Sequence, residues 1–468
     1  MIDRFSMHDN CGVFAIYGSP RAAELTYFAL YSLQHRGQES AGIVTAGNGS
    51  VHIYKNMGEV NEVFADRQIL GRLKGSIAIG HTRYSTTGAS SLTNIQPLLI
   101  TNRSQKLAIA HNGNLTNSYQ LRKKLERSGS IFQTTSDTEI FLHLAALSKK
   151  RTWFSRLCDT MSHVEGAYSI VFITEESIYA MRDPMGFRPL CLGQYNGKAW
   201  VVASETCAFD IIGAKYVREI EPGEVVEISR KGIRSAFPVK KQPHAFCIFE
   251  YIYFSRPDSK VFGENVDKIR RRLGRQLARE HPADADIVIG IPDSANTAAL
   301  GFSEQSGIKF EIGLIRNHYV GRTFIDPEQK IRDLDVKIKF NPVKGVLNGK
   351  RVVVVDDSIV RGTTSKKLVK LIRSAGAKEI HMRVSAPPII SPCYFGIDMP
   401  TREELIASSK SVKKIQEYLG VDSLGYLSID GMLSMPSLPN GSFCVSCFSG
   451  RYPLKTAAVN DKYRLEKV

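Results

Sequence analysis

Short apolar runs bounded by polar or glycine-bearing stretches recur through the first half of the chain. Residues 76–80, 107–110, 168–174, 177–181 and 224–229 have the length and composition of strands. Residues 21–35 instead place Leu25, Phe28, Ala29 and Ser32 on one side of a helix. Past residue 240 the rhythm changes. Residues 260–280 mix apolar and basic positions as an amphipathic helix, and residues 286–291 are a buried strand. Four consecutive valines, Val352 to Val355, carry the pattern of a strand buried on both faces in a parallel sheet, and residues 365–375 follow as a helix. The polar, proline-bearing residues 240–244 separate the two patterns. A chain of 468 residues accommodates two such domains, an α+β unit over 11–240 and an α/β unit over 241–468.

Two carboxylates, Asp356 and Asp357, stand at the carboxyl end of the valine strand, where open α/β sheets bind ligands. Arg361, Gly362, Thr363 and Thr364 then lead into the helix, offering N–H groups and hydroxyls to a phosphate. The acids can hold ribose hydroxyls or a magnesium complex while the loop holds a 5′-phosphate. A lone Asp-Asp before a helix would read as an ordinary cap; the whole order of parts favours a sugar phosphate. This segment resembles the phosphoribosyl-diphosphate signature of type I phosphoribosyltransferases. The turn from Pro292 to Ala298 resembles the pyrophosphate loop of that fold, and the Ser294 hydroxyl could reach its magnesium. Such loops often carry glycine, but residues 292–300 contain none, which argues against a turn that needs positive φ. Residues 317–343 are long and polar, with Tyr319, Gly321, Arg322, Arg332, Lys337 and Lys339. They resemble the loop that closes over the donor, where cations offset its charge and closure excludes water.

Near the N-terminus, Cys11 opens an apolar, β-prone run. A free thiol there is commonly a packing residue. The other reading is a nucleophile exposed by removal of residues 1–10, with the new α-amine, of pKa about 7.7–8.0, as its base. Position alone leaves both open. Further on stand a polar loop, 34–42, then Arg83, Asn112 with Gly113, and Asp137. Singly these read as a surface ion pair, a hairpin turn and a helix cap. Together they meet the needs of glutamine hydrolysis. A thiol attacks the amide, and Asn112 with the Gly113 N–H stabilises the oxyanion. Arg83 holds the α-carboxylate and Asp137 the ammonium. With these residues the segment 11–240 resembles the class II glutamine amidotransferase domain. That resemblance implies an αββα N-terminal nucleophile (Ntn) hydrolase fold.

Eight cysteines in a long chain without a secretory signal point to metal or catalysis, not a disulfide framework. Cys158, Cys191 and Cys207 look like packing residues. Cys247, Cys393, Cys444 and Cys447 make a second group, two of them in a Cys-x-x-Cys pair. Spacing alone leaves structural zinc and an iron–sulfur cluster open. The flanking residues 401–407, 423–427 and 447–453 resemble the cluster-bearing branch of the glutamine phosphoribosyl-diphosphate amidotransferases. The resemblance implies a [4Fe–4S] cluster on those four thiols and a propeptide over 1–10. It also implies Mg²⁺ with the donor, and a homotetramer inhibited by purine nucleotides. Glutamine would supply ammonia, and ammonia would displace pyrophosphate from phosphoribosyl diphosphate.

The net charge of +16 suits phosphorylated metabolites. No arginine-rich arm or helix-turn-helix segment points to nucleic acid, and no apolar run is long enough to cross a membrane. A cytoplasmic enzyme is expected. The main rival from another class is a regulator that senses phosphoribosyl diphosphate with a degenerate amidotransferase domain, and the set Cys11, Arg83, Asn112 and Asp137 argues against it.

Overall fold

The computed structural model describes residues 11–84, 91–102, 105–317, 338–399 and 401–454. The expected propeptide, 1–10, and most of the expected lid, 318–337, lie outside them.

Two antiparallel sheets form the first half. Among the described residues one has seven strands, ordered Ala214–Glu219, Cys191–Tyr195, Ala199–Ala203, Gly12–Tyr17, Ile77–Arg83, Ser40–Gly47 and Ser50–Met57. The other has six, ordered Gly232–Ala236, Val225–Ser229, Ser177–Arg182, Gly166–Ile173, Gln105–Leu115 and Leu98–Asn102. The first strand shows why they stack. Its residues alternate faces with period two, so Val13 and Ala15 join the core between the sheets. Phe14 and Ile16 join the outer core beneath helix Ala22–Ser32. A third core packs helices Thr138–Leu147 and Trp153–Met161 on the other sheet. The layers are therefore αββα.

Three local readings change. Strand Ile77–Arg83 runs through His81 to Arg83, and Gln105–Leu115 runs through Asn112 and Gly113. Asn112 and Gly113 pair with Ser169 and Tyr168, so they belong to a strand and not a hairpin turn. Phe28 is exposed, because the helix buries the stripe of Leu25, Thr26, Ala29 and Leu30.

The second half carries a parallel sheet ordered Ile287–Gly290, Arg351–Asp356, Glu379–Val384 and Ser423–Tyr426. Val352 and Val354 pack with Leu368 and Ile372 of helix Thr363–Ser374. Val353 and Val355 pack with Leu273, Leu277 and Phe302 on the opposite face. At roughly 1.5–3 kcal/mol for each fully buried side chain, this strand anchors both cores. The amphipathic helix begins later than its pattern suggests. It spans Val266–Glu280, because residues 260–265 fold into a small hairpin and Asn265 caps the helix by accepting from the Lys268 N–H. Strands Leu314–Arg316 and Phe340–Pro342 pair antiparallel, so the ends of the 317–343 excursion emerge side by side. Residues 237–245 have no regular structure, and 241–243 are exposed. Among the described residues no helix is long and apolar enough to cross a membrane.

Candidate active sites

At the amino end of the first strand, Gly12 pairs with Thr82, which brings Cys11 beside the end of the Arg83 strand. The buried Cys11 thiol donates to the Tyr84 carbonyl at 3.4 Å and feels the charges of Arg83, Glu39 and Asp137. Burial pushes this thiol up to about 11, so a neutral solution leaves it protonated and a nearby base must take its proton. Arg83 is buried and donates through Nη1 to Glu39 Oε1 at 3.0 Å. Asp137 precedes helix Thr138–Leu147 but makes no side-chain cap bond. Its Oδ2 accepts from the Leu115 N–H at 2.8 Å, and its Oδ1 lies 3.6 Å from His111 Nδ1.

The strand between them holds the most telling atoms. Asn112 is fully buried, and neither its Oδ1 nor its Nδ2 has a hydrogen-bond partner. An unpaired buried polar group costs about 1–3 kcal/mol, a cost a bound substrate can offset. Gly113 has φ +147, and a Cβ there would stand 2.0 Å from the Ala167 carbonyl oxygen, so only glycine fits. His81, burial-depressed to about 3 and hence neutral, hydrogen-bonds the His111 carbonyl through Nε2 at 3.0 Å. That bond ties the two sheets at the site.

In the second domain, Asp356 and Asp357 lie buried at the end of the valine strand. The Ser294 hydroxyl donates to Asp357 Oδ2 at 2.5 Å and the Ser358 hydroxyl to Oδ1 at 2.8 Å. Burial pushes both carboxyls up, and the charge of Asp357 raises Asp356 further. Hydrogen bonds from Ser294 and Ser358, with the charge of Arg270, pull Asp357 partly back. Two buried acids with a neighbouring hydroxyl are oxygen donors of the kind Mg²⁺ takes, so the residues fit that ion. Gly362 sits at φ +74 before helix Thr363–Ser374, where a Cβ would press on Ile406 at 2.8 Å. The Thr363 hydroxyl is buried without a partner at the helix start, and Thr364 follows it. Arg361 turns aside to pair with Glu404 at 2.8 Å. None of residues 291–297 has a positive φ, so this turn forms without glycine.

Between the sites runs a buried ionic network that the sequence did not disclose. The stretch 34–42 reads as a polar loop, yet Arg36 is fully buried and Glu39 nearly so. Arg36 bonds Glu205 through Nε and Glu250 through Nη2, and donates to Ser255 Oγ at 3.1 Å. Arg188 joins Glu250 at 3.3 Å. Burial alone would push the Glu205 carboxyl up, but Arg36 and His35 hold it well below the usual carboxylate range. Arg270 donates to the carbonyls of Tyr251, Tyr253 and Ser255, at 2.7, 2.8 and 2.8 Å. One signal was available: Glu250 is a lone acid inside the apolar run from Phe246 to Phe254.

Cys247 and Cys444 face one another across the parallel pair Phe246–Cys247 and Phe443–Cys444. The Cys447 carbonyl accepts from the Ile390 and Ser391 N–H groups at 2.9 and 3.1 Å, drawing in the loop that carries Cys393. The four thiols feel each other's charge, and burial raises Cys247 to about 12 and Cys444 to about 11. Arg188 lies beside this group. Among the described residues no three His, Cys, Asp or Glu side chains converge closely enough to hold one metal ion. Cys191 and Cys207 pack in the outer core and Cys158 against the other sheet, as packing cysteines do.

The chain was compared with known proteins. A model of the glutamine amidotransferase domain matches residues 81–210. Amidophosphoribosyltransferase 1 of Arabidopsis thaliana is 53% identical over 455 residues, covering 97% of this chain and 80% of that protein. Amidophosphoribosyltransferase of Bacillus subtilis is 48% identical, covering 96% and 94%. A solved structure of the allosteric regulatory enzyme of purine biosynthesis superposes with TM-score 0.92 at 48% identity, covering 96% and 98%. Another, glutamine phosphoribosylpyrophosphate amidotransferase from Bacillus subtilis complexed with ADP and GMP, gives 0.91 at 47% identity, covering 96% and 99%.

Proposed function

Because the chain belongs to the amidophosphoribosyltransferase family, we propose how its own residues divide the work of that reaction. The enzyme converts glutamine, phosphoribosyl diphosphate and water into 5-phosphoribosylamine, glutamate and pyrophosphate, the first step of purine biosynthesis. The Cys11 thiol attacks the glutamine amide while Arg83 holds the α-carboxylate and Asp137 the ammonium. Asn112 Nδ2 and the Gly113 N–H receive the oxyanion, ammonia leaves, and water cleaves the thioester to glutamate. The unpaired, buried Asn112 side chain carries this reading. The base is the α-amine of Cys11 after residues 1–10 are removed, since an acylated nitrogen cannot accept the proton.

Ammonia is mostly protonated in neutral water and then useless as a nucleophile, which is why both sites share one chain. In the second domain Gly362, Thr363 and Thr364 cradle the 5′-phosphate. Asp356 and Asp357 orient the ribose, and with Ser294 they would hold Mg²⁺, which supplies neutralisation of the departing pyrophosphate. Arg361, paired with Glu404, borders the cradle. Ammonia then attacks C1 as the C1–O bond to pyrophosphate breaks, and the new amine loses a proton.

Cys247, Cys393, Cys444 and Cys447 would hold a [4Fe–4S] cluster in this reading. Tetrahedral zinc with Zn–S of about 2.3 Å draws thiolates to about 3.8 Å apart. A [4Fe–4S] cluster would likewise take the four thiolates, and the resemblance of residues 401–407, 423–427 and 447–453 to the cluster-bearing branch favours it. Iron and zinc counts on protein purified without oxygen check this; stoichiometric zinc without iron would refute it. Inhibition by purine nucleotides and a homotetrameric assembly belong to the same proposal.

The test of the two-site reading is a donor exchange. Cys11→Ala should abolish glutamine-dependent pyrophosphate release by at least about 10⁴-fold. Ammonia-dependent release, at alkaline pH with ammonium chloride, should persist. Loss of both reactions in a folded Cys11→Ala protein would show that the sites are not separable.

A further inference from the structure

A loop from the second domain packs against Gly113 and Asn114 of the glutamine-site strand. Gly396 has φ +95, and a Cβ there would stand 2.9 Å from both Cα and C of Gly113 and 3.2 Å from its carbonyl oxygen. Gly113 also faces the Ala167 carbonyl oxygen, 2.0 Å from where a Cβ would lie. Gly113, whose N–H would donate to the oxyanion, is thus hemmed by Ala167 of its own sheet and, at its Cα and carbonyl, by Gly396 of the second domain. Beside it, Asn114 Nδ2 donates to the Tyr394 carbonyl at 3.0 Å.

The loop itself is well anchored. The Phe395 ring stacks on Phe187 at 4.3 Å between centroids. The Phe395 carbonyl accepts from Arg188 Nε and Nη2 at 3.1 and 2.7 Å. The Tyr452 hydroxyl donates to the Pro392 carbonyl at 2.7 Å.

We infer that Gly396 is a positioning residue for glutamine hydrolysis, its loop setting where the Gly113 N–H points. The inference rests on the reading of Asn112 and Gly113 as oxyanion donors. Its physical basis is that a donor aimed at the oxyanion is useful only within tenths of an ångström, and a misplacement near 1 Å costs about 10²-fold. Neither acts on the substrate in its ground state, so kcat and KM should separate.

The experiment is Gly396→Ala in the mature full-length enzyme, assayed with both nitrogen donors. Glutamine kcat should fall by about 10²-fold while its KM and the ammonia-dependent reaction stay within about twofold. An aldehyde analogue of glutamine, which the thiol converts to a tetrahedral adduct, should lose affinity by the same factor as kcat. Asn114→Ala, which removes the clamp on Tyr394 without backbone strain, should move the same quantities in the same direction by about tenfold. It substitutes for Gly396→Ala if that protein does not fold. Unchanged glutamine kcat, or an equal fall with both donors, would overturn the inference. Asn112→Ala separates the two layers. If it cripples glutamine hydrolysis while Gly396→Ala does not, only the positioning role fails. If Asn112→Ala is itself inert, the oxyanion assignment fails and the inference with it.

Discussion

The two sites are built in opposite ways. The proposed glutamine site gathers Cys11, Arg83, Asn112, Gly113 and Asp137 from different strands and a helix start, and its charged groups already have partners. Arg83 meets Glu39, and Asp137 meets the Leu115 N–H. Among the described residues the proposed phosphoribosyl site comes mostly from one strand–turn–helix passage, with Ser294 reaching it from the 292–298 turn. It is left electrostatically unfinished, with two adjacent buried carboxyls pushed up and a buried hydroxyl unpaired. Glutamine is a small zwitterion and can enter a prebuilt, neutralised socket. Phosphoribosyl diphosphate is a polyanion, and in the proposed reading such a site would be complete only with the donor and its cation both bound.

Perturbations of each kind of site sharpen the contrast. After Cys11→Ala, the largest effect expected is from Asp357→Asn, which removes a charge from the unfinished site while keeping the side chain's shape. Pyrophosphate release should fall by on the order of 10²–10³-fold with glutamine and with ammonia alike, whereas hydrolysis of glutamine survives. A defect confined to one donor would contradict the shared second site. Next comes the network between them. Glu250→Gln leaves the buried Arg36 with Glu205 alone and takes from the buried Arg188 its carboxylate partner, and breaking a buried pair costs roughly 3–5 kcal/mol. Urea unfolding should register that loss; an unchanged midpoint would mean the network is dispensable for stability. The smallest effect concerns the thiol. In protein that still carries residues 1–10, the Cys11 thiol at about 11 leaves a thiolate fraction near about 10⁻³ at pH 8. Peptide-resolved alkylation at Cys11 should then be slow and rise about tenfold per pH unit up to pH 10. A rate already flat at pH 8 would place the thiol elsewhere.

Much of this protein was legible in the chain itself. Val352 to Val355 declared a strand buried on both faces because four β-branched residues in a row leave no face for water. Asp356, Asp357 and the Gly362–Thr363–Thr364 turn followed at once, since a contiguous passage carries its own geometry. Pairings between distant stretches were decided only in three dimensions. Asn112 and Gly113 lie in a strand and not a hairpin because they run in antiparallel register with Ser169 and Tyr168 of a neighbouring strand. Residues 260–265 leave the helix because they pair with each other, and Asn265 then caps what remains. Arg36 reads as a loop cation, yet it is fully buried, because Glu205 and Glu250 meet it there from remote parts of the chain. Local pattern determines which backbone a segment prefers; whether a charge can leave water depends on partners that only the folded chain brings within reach.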